Sequence, residues 1–244
     1  MAYRAVFFDA GETIVHPHPS FSELLASVLA GEGYVVDPIE VREGVTLVAE
    51  HFARASDERL LWTTSPHASR SFWLGVYREF LARLGLPADA GLPERLYRAF
   101  TDLSNYRLFD DVLPALHALR AGGLRLGVIS NFEEWLGRLL DELRVAELFE
   151  VLVISGIEGI EKPDLSIFRL ALSRMGLPAE ACVYVGDNPR FDTDPAEALG
   201  MFGVLIDRRD RFPDHAGPGV RITSMAALPA AIGERPADAP VGAG

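Results

Sequence analysis

A lysine and three groups of polar residues, each group directly after a short apolar run, are the residues of this sequence whose types and order could carry chemistry. Asp9 and Thr13 follow the run at residues 5–8, Ser130 and Asn131 follow 126–129, and Gly186, Asp187, Asn188 and Asp192 follow 183–185. Lys162 stands in GIEKPDLSIF, ahead of a helical pattern that leads into the last run. Singly, each has an ordinary explanation as a turn, a helix cap or a solvated charge. In this order they form a set suited to phosphoryl transfer. A carboxylate can act as nucleophile, a hydroxyl and an ammonium can hold the oxygens of the group in transfer, and further carboxylates can hold a divalent cation. Of the 23 basic residues only Lys162 is lysine, so a step that needs a side-chain amine has one candidate.

These residues need a scaffold that brings separate strand ends together. The apolar runs at 5–8, 126–129, 151–154 and 183–185, with a weaker one at 203–206, read as buried strands, and helical patterns at 133–143, 167–175 and 195–199 separate the later ones. Continuous apolar strands alternating with helices predict a parallel sheet covered on both faces. In such sheets ligands collect at the carboxyl ends of the strands, where the polar groups fall. Between the first and second strands lies a stretch of about ninety residues, far longer than the dozen or so a crossover requires. Ser20 with Glu23 and Asp37 with Glu40 have capping-box spacing, Pro38 suits a first helical position, and apolar residues recur at helical intervals up to Leu103. The expected organisation is a core of residues 1–15 and 108–232, a four-helix insertion over 16–107, and a disordered tail of small residues and proline over 233–244.

Composition narrows the function classes. A chain of 244 residues with 49% apolar and 24% charged residues can bury a core, and it has no run long enough to span a membrane. The balance of 23 basic and 35 acidic residues, 23 − 35 = −12, repels phosphate backbones and anionic lipid, so neither nucleic acid nor a membrane is an expected partner. Cys182 is the only cysteine and MAYRAVFFDAGETIV reads as a strand rather than a signal peptide, so the expected location is cytoplasmic.

With these residues in view, the sequence resembles the haloacid dehalogenase (HAD) superfamily of hydrolases, in the branch with a helical cap inserted after the first motif. FFDAGETI is similar to its first motif, GVISN to its second, EKPDLSIF to its third and VYVGDNPRFDTDPAEALGM to its fourth. The resemblance covers about residues 3–206, with only length and helicity matching in the cap. It implies an α/β fold with a Rossmann-like parallel-sheet core and an inserted α-helical cap. It further implies that Asp9 is a nucleophile forming an aspartyl intermediate, and that Ser130, Asn131 and Lys162 bind the group in transfer. Asp9, the backbone carbonyl of Gly11 and Asp187 would hold Mg2+, with Asp192 orienting metal-bound water from behind them. The expected substrate is a small, anionic phosphate ester selected by the cap.

One position departs from the family pattern. Its phosphatases carry a second aspartate two residues after the nucleophile, which protonates the leaving oxygen, and here that position is Gly11. A positioned acid-base group contributes roughly 10² to 10⁴-fold. Glu12, His16 and His18 are the candidates to replace it. A 2-haloacid dehalogenase and a non-catalytic ligand-binding relative are the competing readings, because dehalogenases also lack that aspartate and share the Ser-Asn pair. A phosphonatase would need a cap lysine, and residues 16–107 contain none.

Overall fold

The computed structural model describes residues 3–58, 60–89, 91–215 and 217–233. The chain divides into two compact units, with cuts between Val15 and His16 and between Arg107 and Leu108. Its strands are β1 (Ala5–Phe8), β2 (Val15–Pro17), β3 (Tyr106–Leu108), β4 (Arg125–Ser130), β5 (Val151–Ile154), β6 (Cys182–Gly186), β7 (Phe202–Ile206) and β8 (Val220–Ile222). Six of them form one parallel sheet in the order β5-β4-β1-β6-β7-β8. The short β2 and β3 pair with each other where the chain passes between the units.

The central strands are apolar throughout because both faces are covered. All four residues of β1 and all five of β6 are buried. The helices of this unit are α5 (Val112–Ala121), α6 (Leu136–Glu142), α7 (Ser155–Glu158), α8 (Leu165–Met175), α9 (Asp194–Ala198) and α10 (Leu228–Gly233). Phe7, Ile129, Val153, Phe168, Met175 and Tyr184 belong to one buried cluster between sheet and helices. The helix expected from residue 133 begins only at Leu136. Its would-be first turn is held otherwise, since the Phe132 N–H donates to Ser155 Oγ at 3.0 Å and Asn131 is bonded to Lys162. Gly233, expected in a disordered tail, is the last residue of α10. The remainder of that tail, 234–244, lies outside the described residues.

The other unit contains α1 (Phe21–Gly31), α2 (Pro38–Asp57), α3 (Pro66–Arg83) and α4 (Leu92–Phe100). Ser20 caps α1 as expected, its Oγ accepting the Glu23 N–H at 3.2 Å, while the Glu23 carboxylate takes the Ser20 hydroxyl at 2.6 Å rather than the Ser20 N–H of a full capping box. Asp37 Oδ1 accepts the Ile39 N–H at 2.7 Å at the start of α2. Leu25, Leu29, Tyr77, Phe80, Leu81, Leu92 and Leu96 form its core. Gly44 on α2 lies directly against the Phe80 ring of α3, where any side chain would overlap it. Among the described residues no helix is long and apolar enough to cross a membrane.

Register explains one glycine of the sheet. Gly127 on β4 is the partner of Phe7 on β1, and a Cβ at that position would stand 2.6 Å from Phe7 Cδ1 and 3.2 Å from Met175 Cε. Phe7 is fully buried and has nowhere to swing. Gly127→Ala is therefore expected to destabilise the protein by about 1–3 kcal/mol through overpacking. Urea unfolding checks this as a lower midpoint at unchanged slope.

Candidate active site

Strand order decides where the site forms. The chain runs from β1 to its neighbour β4, outward to β5, and then back across β1 to β6, so the order reverses beside β1. That is the point where an open parallel sheet leaves a crevice at its carboxyl edge. Phe8 pairs with Val128 on one side and Val185 on the other, and the Asp9 N–H donates to the Val185 carbonyl at 2.8 Å. Asp9 thus leaves the sheet between the ends of β4 and β6, which carry Ser130 and Asp187.

Lys162 organises the interior. Its ammonium, with a side chain 3% exposed, donates to Asp9 Oδ1 at 2.7 Å, Asp192 Oδ1 at 2.5 Å and the Tyr184 hydroxyl oxygen at 3.0 Å. Three donors meet three acceptors, so the ammonium is saturated. Its backbone is equally fixed: Asn131 Nδ2 donates to the Lys162 carbonyl at 2.8 Å, and Asn131 Oδ1 accepts the Lys162 N–H at 2.6 Å. Both polar ends of the Asn131 side chain are spent on this clamp. Asp192 Oδ2 accepts the Asn188 N–H at 3.0 Å, and Tyr184 Oη lies 2.9 Å from the Ile129 carbonyl. Glycine is required at 186, because a methyl group there would overlap the Asp192 carboxyl.

Ser130 Oγ donates to Asp9 Oδ1 at 3.0 Å, so Lys162 and Ser130 both hold the same oxygen. Among the described residues Asp9 Oδ2 has no hydrogen-bond donor, which leaves it open to an electrophile or a cation. Burial raises the pKa of Asp9, helped by the Asp192 charge, and Lys162 and Ser130 oppose that rise without cancelling it. Burial alone would lower the pKa of Lys162, and the charges and hydrogen bonds of Asp192 and Asp9 more than reverse it. The lysine is therefore held as the ammonium.

Asp187 is the group left wanting positive charge. Burial and the Asp192 and Asp9 charges push its carboxyl up to about 7, although Arg211 Nη2 bonds its Oδ2 at 2.6 Å. Asp9, Asp187 and Asp192 each offer a carboxylate oxygen, and these oxygens lie within 4.8 Å of one another. Such hard oxygen donors fit Mg2+, which uses few carboxylates and retains water. Asp192, with both oxygens already engaged, suits an orienting role.

The remaining candidates are placed differently. Gly11 follows Asp9 in the same turn, in an ordinary backbone conformation, while Glu12 takes the left-handed region at φ 56° and pairs with Arg209 at 2.7 Å. His16 and His18 belong to the helical unit, where their rings lie 6.1 Å apart and His16 Nδ1 is 2.8 Å from the Pro17 carbonyl. Tyr184 and Arg211 had not been singled out in the sequence. A tyrosine inside an otherwise apolar strand run was the available signal for the first.

Fold and crevice together define an α/β protein with an open parallel sheet and acidic side chains gathered at the strand ends beside β1. Residues 3–200 match the family of haloacid dehalogenase-like hydrolases, and the chain belongs to that family. It is 28% identical to haloacid dehalogenase-like hydrolase domain-containing protein 3 of Danio rerio, over 94% of this chain and 96% of that protein. It is 33% identical to the glyceraldehyde 3-phosphate phosphatase of Methanopyrus kandleri, over 86% of each. In fold it is similar to the magnesium-bound HAD-hydrolase YfnB of Bacillus subtilis, with a TM-score of 0.76 and 18% identity over 93% of this chain and 97% of that one.

A carboxyl with a pKa of about 7 must lose its proton to accept a cation, so Mg2+ bound at Asp187 would compete with H+ below pH 7. The rise in Tm produced by Mg2+ should therefore grow between pH 6 and pH 8. Scanning calorimetry with and without Mg2+ measures it, and Asp187→Asn should abolish the difference. In the metal-free protein the sign is opposite: a carboxyl whose folded pKa is raised costs stability as pH climbs from its unfolded value of about 4 through 7.

Proposed function

We propose that this hydrolase is a Mg2+-dependent phosphatase acting on a small phosphate ester through an aspartyl-phosphate on Asp9. The observation that carries this reading is the buried convergence of Asp9 with Lys162, Ser130 and Asp187 at the reversal of strand order. Similarity to a glyceraldehyde 3-phosphate phosphatase supports the phosphate ester. Mg2+ held by Asp9, Asp187 and the Gly11 carbonyl would supply positive charge to the phosphoryl oxygens.

Asp9 attacks phosphorus, the bond from phosphorus to the ester oxygen breaks, and the leaving alkoxide takes up a proton. Water then cleaves the acyl phosphate, releasing inorganic phosphate and restoring the Asp9 carboxylate. Lys162 opposes the rise that burial imposes on the Asp9 pKa and offsets charge on the transferring group, while Ser130 Oγ would turn its one proton from Asp9 Oδ1 to a phosphoryl oxygen. Asp192 and the Asn131 clamp hold the lysine in place. In this reading Asn131 acts through Lys162 and meets the substrate only with its backbone, and the helical unit, as the cap, selects the rest of the substrate.

Gly11 supplies no acid for the leaving oxygen. Glu12 is engaged by Arg209, and His16 and His18 belong to the other unit. The site therefore favours leaving groups that need little protonation, such as aryl or acyl phosphates. A substrate panel tests this: phosphate release that requires Mg2+ and is abolished in Asp9→Asn supports the reading. Metal-independent chloride release from 2-haloacids, with no phosphate release from any ester, overturns it.

Gly11→Asp should add the missing acid. The position is not left-handed, and a Cβ there meets only the Phe132 ring edge, at 3.9 Å. Hydrolysis of alkyl phosphates should rise by up to about 10² to 10⁴-fold, with little gain for aryl or acyl phosphates. Steady-state kinetics on the matched panel measures the selectivity of the gain.

A further inference from the structure

The segment that follows β7 is built to present two arginines to the crevice. Asp207, fully buried, accepts the Arg211 N–H with Oδ1 at 2.8 Å, and with Oδ2 it accepts the Phe212 N–H at 2.8 Å and Arg221 Nε and Nη2 at 3.0 and 2.9 Å. Asp210 completes the turn in the left-handed region at φ 54°, and its carboxylate also pairs with Arg221. Arg208 is turned inward, with its guanidinium 3.9 Å from the Phe109 ring centre and bonded to Asp111 at 2.8 Å and the Thr13 carbonyl at 3.1 Å. Arg209 and Arg211 are more exposed, at 49% and 44%.

They end on the two residues that flank the nucleophile. Arg209 Nη2 bonds Glu12 Oε2 at 2.7 Å, and Arg211 Nη2 bonds Asp187 Oδ2 at 2.6 Å and the Asp187 carbonyl at 3.1 Å. Each guanidinium carries five donors and uses one nitrogen. Among the described residues, Nε and Nη1 of both make no hydrogen bond, and the side chains are 49% and 44% exposed. Lys162 has no donor to spare, so a ligand charge beyond the transferring phosphoryl group has to be met elsewhere. A cation on Asp187 would also satisfy the charge that now holds Arg211.

We propose that Arg211, with Arg209 beside it, forms an anion subsite of the core, so that preferred substrates are phosphate esters bearing a second anionic group, a carboxylate or another phosphate. This rests on the phosphatase reading and names its substrate class. The Asp207 turn fixes the backbone, and Nε and Nη1 of each half-exposed guanidinium are unbonded among the described residues. Arginine suits the task, because its planar donor set matches carboxylate and phosphate oxygens.

Matched ester pairs test the proposal. Phenyl phosphate and 4-carboxyphenyl phosphate differ by a carboxylate, and 4-hydroxyphenyl phosphate and hydroquinone bisphosphate differ by a second phosphate. The wild type is expected to prefer the more anionic member of at least one pair, and the pair identifies which anion is used. In Arg211→Gln that preference should fall about 10- to 100-fold, chiefly through KM, with partial recovery in Arg211→Lys. Equal losses on both members, together with weaker Mg2+ binding by calorimetry, would show that Arg211 only steadies Asp187, and would overturn the subsite. An unchanged preference would overturn it as well. Calorimetric binding of the same pairs to Asp9→Asn and to Asp9→Asn/Arg211→Gln gives the comparison without turnover. Loss of the phosphatase reading, no ester hydrolysed by the wild type, is thereby separated from loss of the subsite, no charge-dependent difference in binding.

Discussion

The buried ammonium of Lys162 is the interaction on which the crevice depends. It joins a carboxylate at the end of β1 to a carboxylate beyond β6, from a loop that follows β5, and so ties three strand ends to one charge. Removing one partner from a buried ion pair costs about 3–5 kcal/mol, because the remaining charge is left uncompensated. Here the loss would leave Asp9 and Asp192 buried side by side. Asn131, Tyr184 and Gly186 are subordinate to this contact: the first fixes the lysine backbone, the second fills its remaining donor direction, and the third makes room for Asp192.

Much of the sheet was legible in the sequence because its central strands are buried on both faces. Uninterrupted apolar residues place the strands at 5–8 and 151–154 at their observed bounds. The strands β2, β3 and β8 escaped, each being three residues long with a histidine or an arginine at its centre. They are held by backbone pairing to a neighbour, which leaves no apolar pattern to read. The polar residues at strand ends were legible as a set for the converse reason: charged and hydroxyl side chains directly after apolar runs have few structural uses in such numbers. Arg211 and the Asn131 clamp were not legible, since each acts through a tertiary contact that spacing does not encode, and Tyr184 showed only as a polar interruption of an apolar run.

Glu12 illustrates a local cost at the site. It adopts the left-handed region that non-glycine residues enter only at some expense, while its neighbour Gly11, which could adopt it freely, does not. The ion pair to Arg209 accompanies that conformation. Flexibility and strain are thus distributed in reverse of the usual arrangement around this turn, and the residue with room for a larger side chain is the glycine.

The saturation of Lys162 also bears on how this protein meets reactive chemicals. Every other basic side chain of the sequence is arginine, so no ε-amine lies on the surface, and the only one in the chain is buried and charged. An acylating or carbonyl reagent needs the neutral amine, and to reach it must first part the ammonium from both carboxylates. Incorporation of such a reagent at Lys162 would therefore count openings of the interior, giving a chemical clock for the breathing of the crevice in the folded protein.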